Sequence, residues 1–294
     1  MDSQDLAGAL KAAAAVLAEA GVPSPRVDAE LLAAPLLGES VGRVRAMALA
    51  GAPAPEALAG LVAERARRVP LQHITGRAQF RFLELEVGPG VFVPRPETEI
   101  VVQQAIDHAR RLDAPKMADL GTGSGAIAGA LATEVPGSRV YAVELSELAH
   151  AWAARNLAPL GVELVLGDLR TALAEHDGTF DVVVSNPPYI PAEAVPREPE
   201  VAEHDPDMAL YGGGADGMLL PAAAAASAAR LLRPGGFFIM EHAEVQAGAV
   251  ARLLEASGRW RDIATVLDLS GRERATSALL LPGTGPAGKN ERMS

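Results

Sequence analysis

Met117-Ala118-Asp119-Leu120-Gly121-Thr122-Gly123-Ser124-Gly125 is a short apolar run that breaks into alternating glycines. The spacing predicts a strand over Met117–Leu120 and a helix over 124–134. A strand, a glycine-rich turn and a helix, in that order, are the opening unit of an open α/β sheet. Glycines let the backbone turn sharply and come close to a ligand. The helix N-terminus beyond them presents N–H groups and the positive end of a dipole, both suited to a carboxylate.

The same alternation continues downstream. Strands are expected over Arg139–Val143, Val162–Leu166, Phe180–Ser185 and Gly235–Met240, then at about 261–267 and 275–281. Helices are expected over Glu147–Ala158, at about 220–232 with Pro221 in the first turn, and over 244–256. Such alternation implies a mostly parallel sheet covered by helices on both faces. Upstream, residues 3–70 read as helical. Leu6, Leu10, Ala13, Ala14 and Leu17 share one face, Gly21 is a stop, and Ser24-Pro25 opens a second helix to about Leu37. A further helix at 55–68 ends in Arg65, Arg67 and Arg68, and no catalytic constellation lies in this region. Between the two regions, Phe80, Phe82, Leu85, Val87, Val91 and Val93 alternate, which predicts a β-hairpin over 78–93. Pro94-Arg95-Pro96-Glu97-Thr98-Glu99 then enters a helix at about 97–111. The expected division is a helical domain at 1–77, a hairpin linker at 78–96, an α/β domain at 97–282 and a disordered tail at 283–294, rich in Gly, Pro and Lys.

Composition narrows the function. The 294 residues suffice for one large domain and one small one. Hydrophobic residues are 49% but aromatics only 4%, so the core must be built from Ala, Val and Leu. The absence of cysteine excludes disulfides, zinc-thiolate sites and thiol nucleophiles. A net charge of −11 argues against a broad nucleic-acid footprint and suits a basic protein partner. Residues 1–11 lack the basic start of a signal peptide, and no apolar run approaches the roughly 18 residues that span a bilayer. A cytoplasmic location is expected. The six histidines show no metal-ligand spacing, so no metal is expected. Glu241-His242-Ala243-Glu244 reads as a strand terminus with solvated charges. The acidic stretch from Glu193 to Asp207 reads as an exposed loop over the active site, suited to attract a basic substrate loop.

Two sets of residues carry chemistry. The first surrounds the glycine loop. Glu144 ends the next strand, where a carboxylate accepts both hydroxyls of a ribose. Asp168 follows the third strand, where a carboxylate accepts from an adenine amino group, and Leu169 offers apolar surface to the base. This pattern points to a nucleoside cofactor without choosing it. Gly121-x-Gly123-x-x-Ala126 also satisfies the relaxed dinucleotide fingerprint, while the lack of a Gly-Lys-Ser/Thr ending argues against a P-loop.

The second set is Asn186-Pro187-Pro188-Tyr189, which follows the most apolar strand at its C-terminal end, the edge where open α/β sheets bind ligands. An amide nitrogen is a poor nucleophile because its lone pair is delocalised. An enzyme that methylates it must hold the NH2 group and stabilise positive charge growing on nitrogen. The Asn186 side-chain oxygen can accept one N–H and the Pro187 carbonyl the other. Pro188 stiffens the turn, and Tyr189 offers a flat face for stacking. An isolated Pro-Pro would read as a strand-ending turn or a polyproline ligand. Its place after a core strand and downstream of a cofactor loop favours nitrogen methylation. The exocyclic amine of a nucleic-acid base fits the same turn, and the acidic charge weighs against it. A nicotinamide-dependent oxidoreductase would leave Asn186–Tyr189 without a role.

Together these residues resemble the bacterial release-factor glutamine methyltransferases, the HemK-like family. The resemblance includes Pro70-Leu71-Gln72-His73-Ile74-Thr75-Gly76, Phe80, Val93–Glu99, Asp119–Gly125, Asn186–Ile190, Pro206, Ala209-Leu210 and Gly213-Gly214-Ala215-Asp216-Gly217. The Pro94–Glu99 segment makes it specific. It implies a helical N-terminal domain, a hairpin linker and a Rossmann-like, seven-stranded class I methyltransferase sheet. It also implies S-adenosylmethionine as methyl donor, peptide-chain release factors as substrates, and N5-methylation of the glutamine in their Gly-Gly-Gln loop. Carried over residue by residue, Gly121, Thr122, Gly123, Ser124, Gly125, Glu144 and Asn186 bind the cofactor, and Asn186, Pro187, Pro188 and Tyr189 bind the glutamine. Two departures accompany it. Glu144 stands where the family often has Asp, a longer reach to the same ribose. Leu169 stands where some members carry an aromatic residue, so adenine stacking is not carried over there.

Overall fold

Helical spacing at the N-terminus resolves, in a computed structural model describing residues 5–282, into α1 (Leu6–Glu19), α2 (Pro25–Leu37), α3 (Val41–Leu49), α4 (Leu58–Ala66) and α5 (Leu71–Thr75). The tail expected at 283–294 lies outside the described residues. Asp5 caps α1 by accepting the Gly8 N–H at 2.6 Å, and Gly21 follows its end as expected. Pro25 opens α2, but the Ser24 hydroxyl makes no capping bond. Leu6, Leu17, Leu32, Val44 and Val62 form the core of this bundle.

The chain forms two compact units. The helical one takes residues up to 78 together with 87–89 and 195–205, and the other takes 79–86, 90–194 and the residues from 206. The segment 195–205 corrects the reading of 193–207 as an exposed loop only in part. It contains α9 (Pro199–His204), and Glu200 is held by Arg65 at 2.8 Å and by Arg68 at 2.6 Å, with Arg65 also bonded to Asp28 at 2.8 Å. Glu200 is thus neutralised inside the helical unit, while Glu193, Glu198, Glu203 and Asp207 stay exposed as expected. Replacing Arg65 with Ala leaves two carboxylates short of a partner and is expected to lower stability by about 3 kcal/mol. The urea midpoint reads this, and an unchanged midpoint would show that the cluster does not hold α9 in place. Burial opposes the Glu200 charge, but bonds from Arg68 and Arg65 outweigh it and hold its carboxyl at about 2, against an ordinary 4.5. Its stabilising share is therefore complete above pH 4.5 and is lost as pH falls toward 2.

The hairpin, β1 (Arg77–Phe80) paired with β2 (Leu83–Glu86), is shorter than the alternation implies. Val87, Val91 and Val93 are buried but not in a strand, because Gly88-Pro89-Gly90 interrupts the ladder. Phe82 is exposed.

The second unit continues with α6 (Thr98–Ala109), β3 (Lys116–Leu120), α7 (Ala126–Glu134), β4 (Arg139–Glu144), α8 (Glu147–Leu157), β5 (Glu163–Leu166) and β6 (Phe180–Ser185). After α9 come α10 (Asp207–Leu210), α11 (Leu219–Leu231), β7 (Leu232–Glu241), α12 (Ala247–Ala256), β8 (Trp260–Leu267) and β9 (Glu273–Leu280). The seven-stranded sheet has the order β5-β4-β3-β6-β7-β9-β8, parallel except for β9, which runs antiparallel to both β7 and β8. The small side chains Ala224, Ala225, Ala228 and Ala229 let α11 lie close on β6 and β7. The few core aromatics cluster, with Phe238 stacked on Trp260 at 5.3 Å. Among the described residues no helix is long and apolar enough to cross a membrane.

Candidate active site

Strand order brings the residues singled out from sequence to one edge. Leu120 at the end of β3 pairs with Val143 of β4 and with Ser185 of β6, and Ser185 pairs with Met240 of β7. The glycine loop, Glu144, Asn186 and Glu241 therefore leave neighbouring carboxyl ends, and Asp168 follows β5 on the next strand. The chain runs from β3 to β4 and β5 on one side, then crosses to β6 and β7 on the other. The crevice between β3 and β6 is a topological switch point, where such sheets bind ligands.

The loop is braced from below. Gly121 and Thr122 both donate N–H to the Val143 carbonyl, and Asn156 donates to the Ser124 carbonyl at 2.8 Å. Thr122 and Ser124 are buried, and the Thr122 hydroxyl donates to Asp119 at 2.6 Å. The same Asp119 oxygen accepts the Ala128 N–H in the first turn of α7, at 3.1 Å. Asp119 is fully buried and its other oxygen has no partner among the described residues. Burial pushes its carboxyl up to about 7, against the pull of those two bonds. Asp119, which nothing in the sequence distinguishes from the rest of the loop, is the side chain that organises it.

Glu144 is nearly buried, which raises its pKa although backbone N–H groups of Ser146 and Gly123 hydrogen-bond to it. The Gly123 N–H, in the loop ahead of α7, is committed to Glu144 at 2.8 Å. Each carboxylate oxygen has a second lone-pair site, so Glu144 retains the capacity to accept two hydroxyls. At Gly121 (φ +80°) and Gly123 (φ +57°) a Cβ would meet no atom within 4 Å. Bare backbone therefore borders open space there, with an acid beside it, which fits a nucleoside carrying an amino-acid tail. Asp168 is half-buried and accepts the Arg170 N–H at 2.9 Å. Leu169 packs against the hydrophobic core and leaves only part of its surface open.

The Asn186–Tyr189 turn is held from two sides. Ser185 is fully buried and its hydroxyl donates to the Leu120 carbonyl at 2.7 Å, tying β6 to β3. On one side, the Asn186 Nδ2 donates to the Thr98 Oγ1 at 3.3 Å, and the Thr98 hydroxyl donates to the Glu241 Oε2 at 2.7 Å. The Tyr189 hydroxyl points to the other Glu241 oxygen at 3.4 Å, and burial raises its pKa, so it stays neutral. Arg274, 3.3 Å from Asp268, lends positive charge to Glu241 and Tyr189. On the other side, the Gln246 Nε2 donates to the Tyr189 carbonyl at 2.8 Å and to the Asp216 carbonyl at 2.9 Å. The Ile190 N–H donates to the Leu210 carbonyl, and the Gly212 N–H donates to the Ile190 carbonyl. Pro187 is buried, and Pro188 and Tyr189 are half-buried.

Glu241 corrects the reading of 241–244 as a terminus with solvated charges. Glu241 and His242 are both buried, and burial lifts the Glu241 carboxyl to about 7 despite its bonds to Thr98 and its proximity to Arg274. Burial lowers the His242 pKa, and its ring bonds to the Thr276 hydroxyl at 2.8 Å. The available signal was positional: an acid closing a strand at the ligand edge of a parallel sheet. Thr98 lies in the Pro94–Glu99 segment, and no sequence signal points to its bonds with Glu241 and Asn186.

The family model described as PrmC N-terminal domain matches residues 8–76, and one described as Methyltransferase domain matches 117–198. The release factor glutamine methyltransferase of Streptomyces coelicolor is 53% identical over 270 residues, covering 90% of this chain and 95% of that protein. The release factor glutamine methyltransferase of Mycobacterium tuberculosis is 45% identical over 289 residues, covering 96% and 94%. The 4-amino-L-phenylalanine/4-methylamino-L-phenylalanine methyltransferase of Streptomyces pristinaespiralis is 41% identical over 262 residues, covering 87% and 89%.

Proposed function

The chain belongs to the release factor glutamine methyltransferase family, and from that premise we propose that it methylates the side-chain nitrogen of the glutamine in the Gly-Gly-Gln loop of peptide-chain release factors. Its class I sheet and methyltransferase domain make it an S-adenosylmethionine-dependent enzyme. When bound, S-adenosylmethionine supplies a methyl group made electrophilic by its sulfonium. The backbone of Gly121–Gly125 would border its amino-acid tail, Glu144 would accept its ribose hydroxyls, and Asp168 and Leu169 would face its adenine. Asn186 accepts one N–H of the substrate amide through its side-chain oxygen, and the Pro187 carbonyl accepts the other. These acceptors stabilise the positive charge that grows on nitrogen, as an oxyanion hole does for negative charge. Positioning supplies much of the rest. No base need act first, since the proton leaves nitrogen after transfer.

The observation that carries this reading is the Asn186 carboxamide, held by Thr98 one strand away from the glycine loop. The helical domain expected at 1–77, which 195–205 joins in one compact unit, recognises the release factor, with residues 78–96 as linker and the rest of 97–282 as the catalytic part. The protein acts in the cytoplasm, alongside that substrate. Kinship with an enzyme named for an aromatic amino-acid amine favours a small aryl amine as the second acceptor class. Offering labelled methyl donor with release factor, with nucleic acid and with 4-aminophenylalanine separates these readings. Label in the release factor is expected, and label only in one of the others would reject it. Glu144→Gln is expected to weaken cofactor binding about 10-fold, the loss of one charged hydrogen bond. Calorimetry checks this, and unchanged affinity would remove Glu144 from the cofactor site.

A further inference from the structure

We propose that Thr98 and Glu241 are positioning residues that decide which atom of the Asn186 carboxamide faces the substrate. The inference rests on the reading of Asn186 as the acceptor of a substrate N–H.

A carboxamide presents an acceptor oxygen on one branch and a donor NH2 on the other, and a flip of the side chain exchanges them. Only the oxygen stabilises a nitrogen that is gaining positive charge. With its NH2 outward, Asn186 would direct a donor at the substrate amine. Something must therefore fix the flip, and the hydroxyl of Thr98 can do so. It has one proton. That proton goes to Glu241, 2.7 Å away, in a fully buried bond. Thr98 is then left with lone pairs toward Asn186 and can only accept, so the Asn186 Nδ2 must turn to it, as it does at 3.3 Å. The oxygen is thereby placed on the opposite branch. Thr98 is the first residue of α6 and Glu241 the last of β7, so two rigid elements set this geometry.

The polarity of the chain depends on the charge of Glu241. Ionised, Glu241 can only accept, and the relay runs from Asn186 through Thr98 to Glu241. Protonated, Glu241 donates to Thr98, the Thr98 proton turns toward Asn186, and the carboxamide is drawn to flip with its NH2 outward. The groups facing Glu241 are Tyr189 after β6, Arg274 on β9, held by Asp268, and Glu97 ahead of α6. Burial, with a smaller push from Glu97, opposes the ionised form, while the Thr98 bond and Arg274 favour it, which leaves the carboxyl at about 7. The active form is the ionised one, so turnover falls as pH drops through that value.

Steady-state kinetics with intact release factor as substrate, from pH 6 to 9, test this. Thr98→Val keeps the shape and removes the hydroxyl. It is expected to lower kcat about 10- to 100-fold, as removal of a supporting hydrogen-bond partner does elsewhere, while calorimetry finds cofactor affinity close to that of the parent. Thr98→Ser, which restores the hydroxyl, is expected to recover most of the rate. Glu241→Gln cannot ionise and is expected to flatten the acid limb near neutrality, whatever its absolute rate. Thr98→Val at full kcat, or Glu241→Gln with the parent's acid limb, would overturn the inference, and the second test stands even if the first variant fails to fold. A parent enzyme that binds cofactor but methylates no acceptor would sink the underlying reading and this inference together. An active parent with an indifferent Thr98→Val sinks this inference alone.

Discussion

Asn186→Ala is expected to lower methyl transfer by about 100- to 1,000-fold, the usual cost of one preorganised group aimed at transition-state charge. Single-turnover rates with release factor measure it. The loss should appear in kcat more than in cofactor affinity, because Glu144 and the glycine loop remain. The reason lies in the weakness of the nucleophile. An amide lone pair is withdrawn into its carbonyl, so the acceptor that steadies developing positive charge contributes most at the transition state and little before it. Full activity in this variant would show that the turn does no more than end β6.

Gly212→Ala is expected to damage the same turn from behind. Its Cβ would fall 2.0 Å from the Gly217 carbonyl, 2.7 Å from the Pro188 carbonyl and 2.8 Å from the Tyr189 Cα. All three are backbone atoms, so no rotamer change relieves the overlap. Gly212 does not have a positive φ, and its requirement is for space alone. Gly217 faces the turn in the same manner, with a Cβ that would fall 2.2 Å from the Tyr189 carbonyl. The loop carrying the Gly213–Gly217 motif is thus the back wall against which Pro188 and Tyr189 are set. Relieving such an overlap should cost about 3 kcal/mol and lower Tm by roughly 10 °C, with turnover falling further than stability alone explains. Thermal melts and kinetics below the transition check this. A stable, fully active Gly212→Ala would mean that the turn does not depend on this wall.

The sheet was legible because its central strands β3, β4 and β6 are buried on nearly every residue. Phe180-Asp181-Val182-Val183-Val184-Ser185 is nearly continuous apolar sequence, and the glycines after Leu120 mark where the chain turns. Placing Gly121, Glu144, Asp168 and Asn186 at one edge follows from strand ends alone. Val87, Val91 and Val93 continue the apolar pattern of the hairpin past Gly88-Pro89-Gly90, and buried residues on irregular backbone look the same in sequence as residues in a strand. Glu200 and Glu241 were read as solvated because charge normally seeks water. Their partners are far along the chain: Arg68 lies 132 residues from Glu200, and Thr98 lies 143 from Glu241. Local pattern carries no information about such pairings. The role of Gly212 was invisible for the same reason, since the atoms it must clear belong to a turn formed by residues 188 and 189.

The central claim is that Asn186 and Pro187 present a glutamine side-chain nitrogen to the methyl donor. The most direct measurement is fragmentation mass spectrometry of the Gly-Gly-Gln peptide, taken from a release factor incubated with the enzyme and S-adenosylmethionine. The account predicts one added methyl group, carried by the side-chain nitrogen of that glutamine and absent when Asn186→Ala replaces the parent enzyme. A methyl group on another residue, or an unmodified peptide beside a methylated amine of another class, would contradict it.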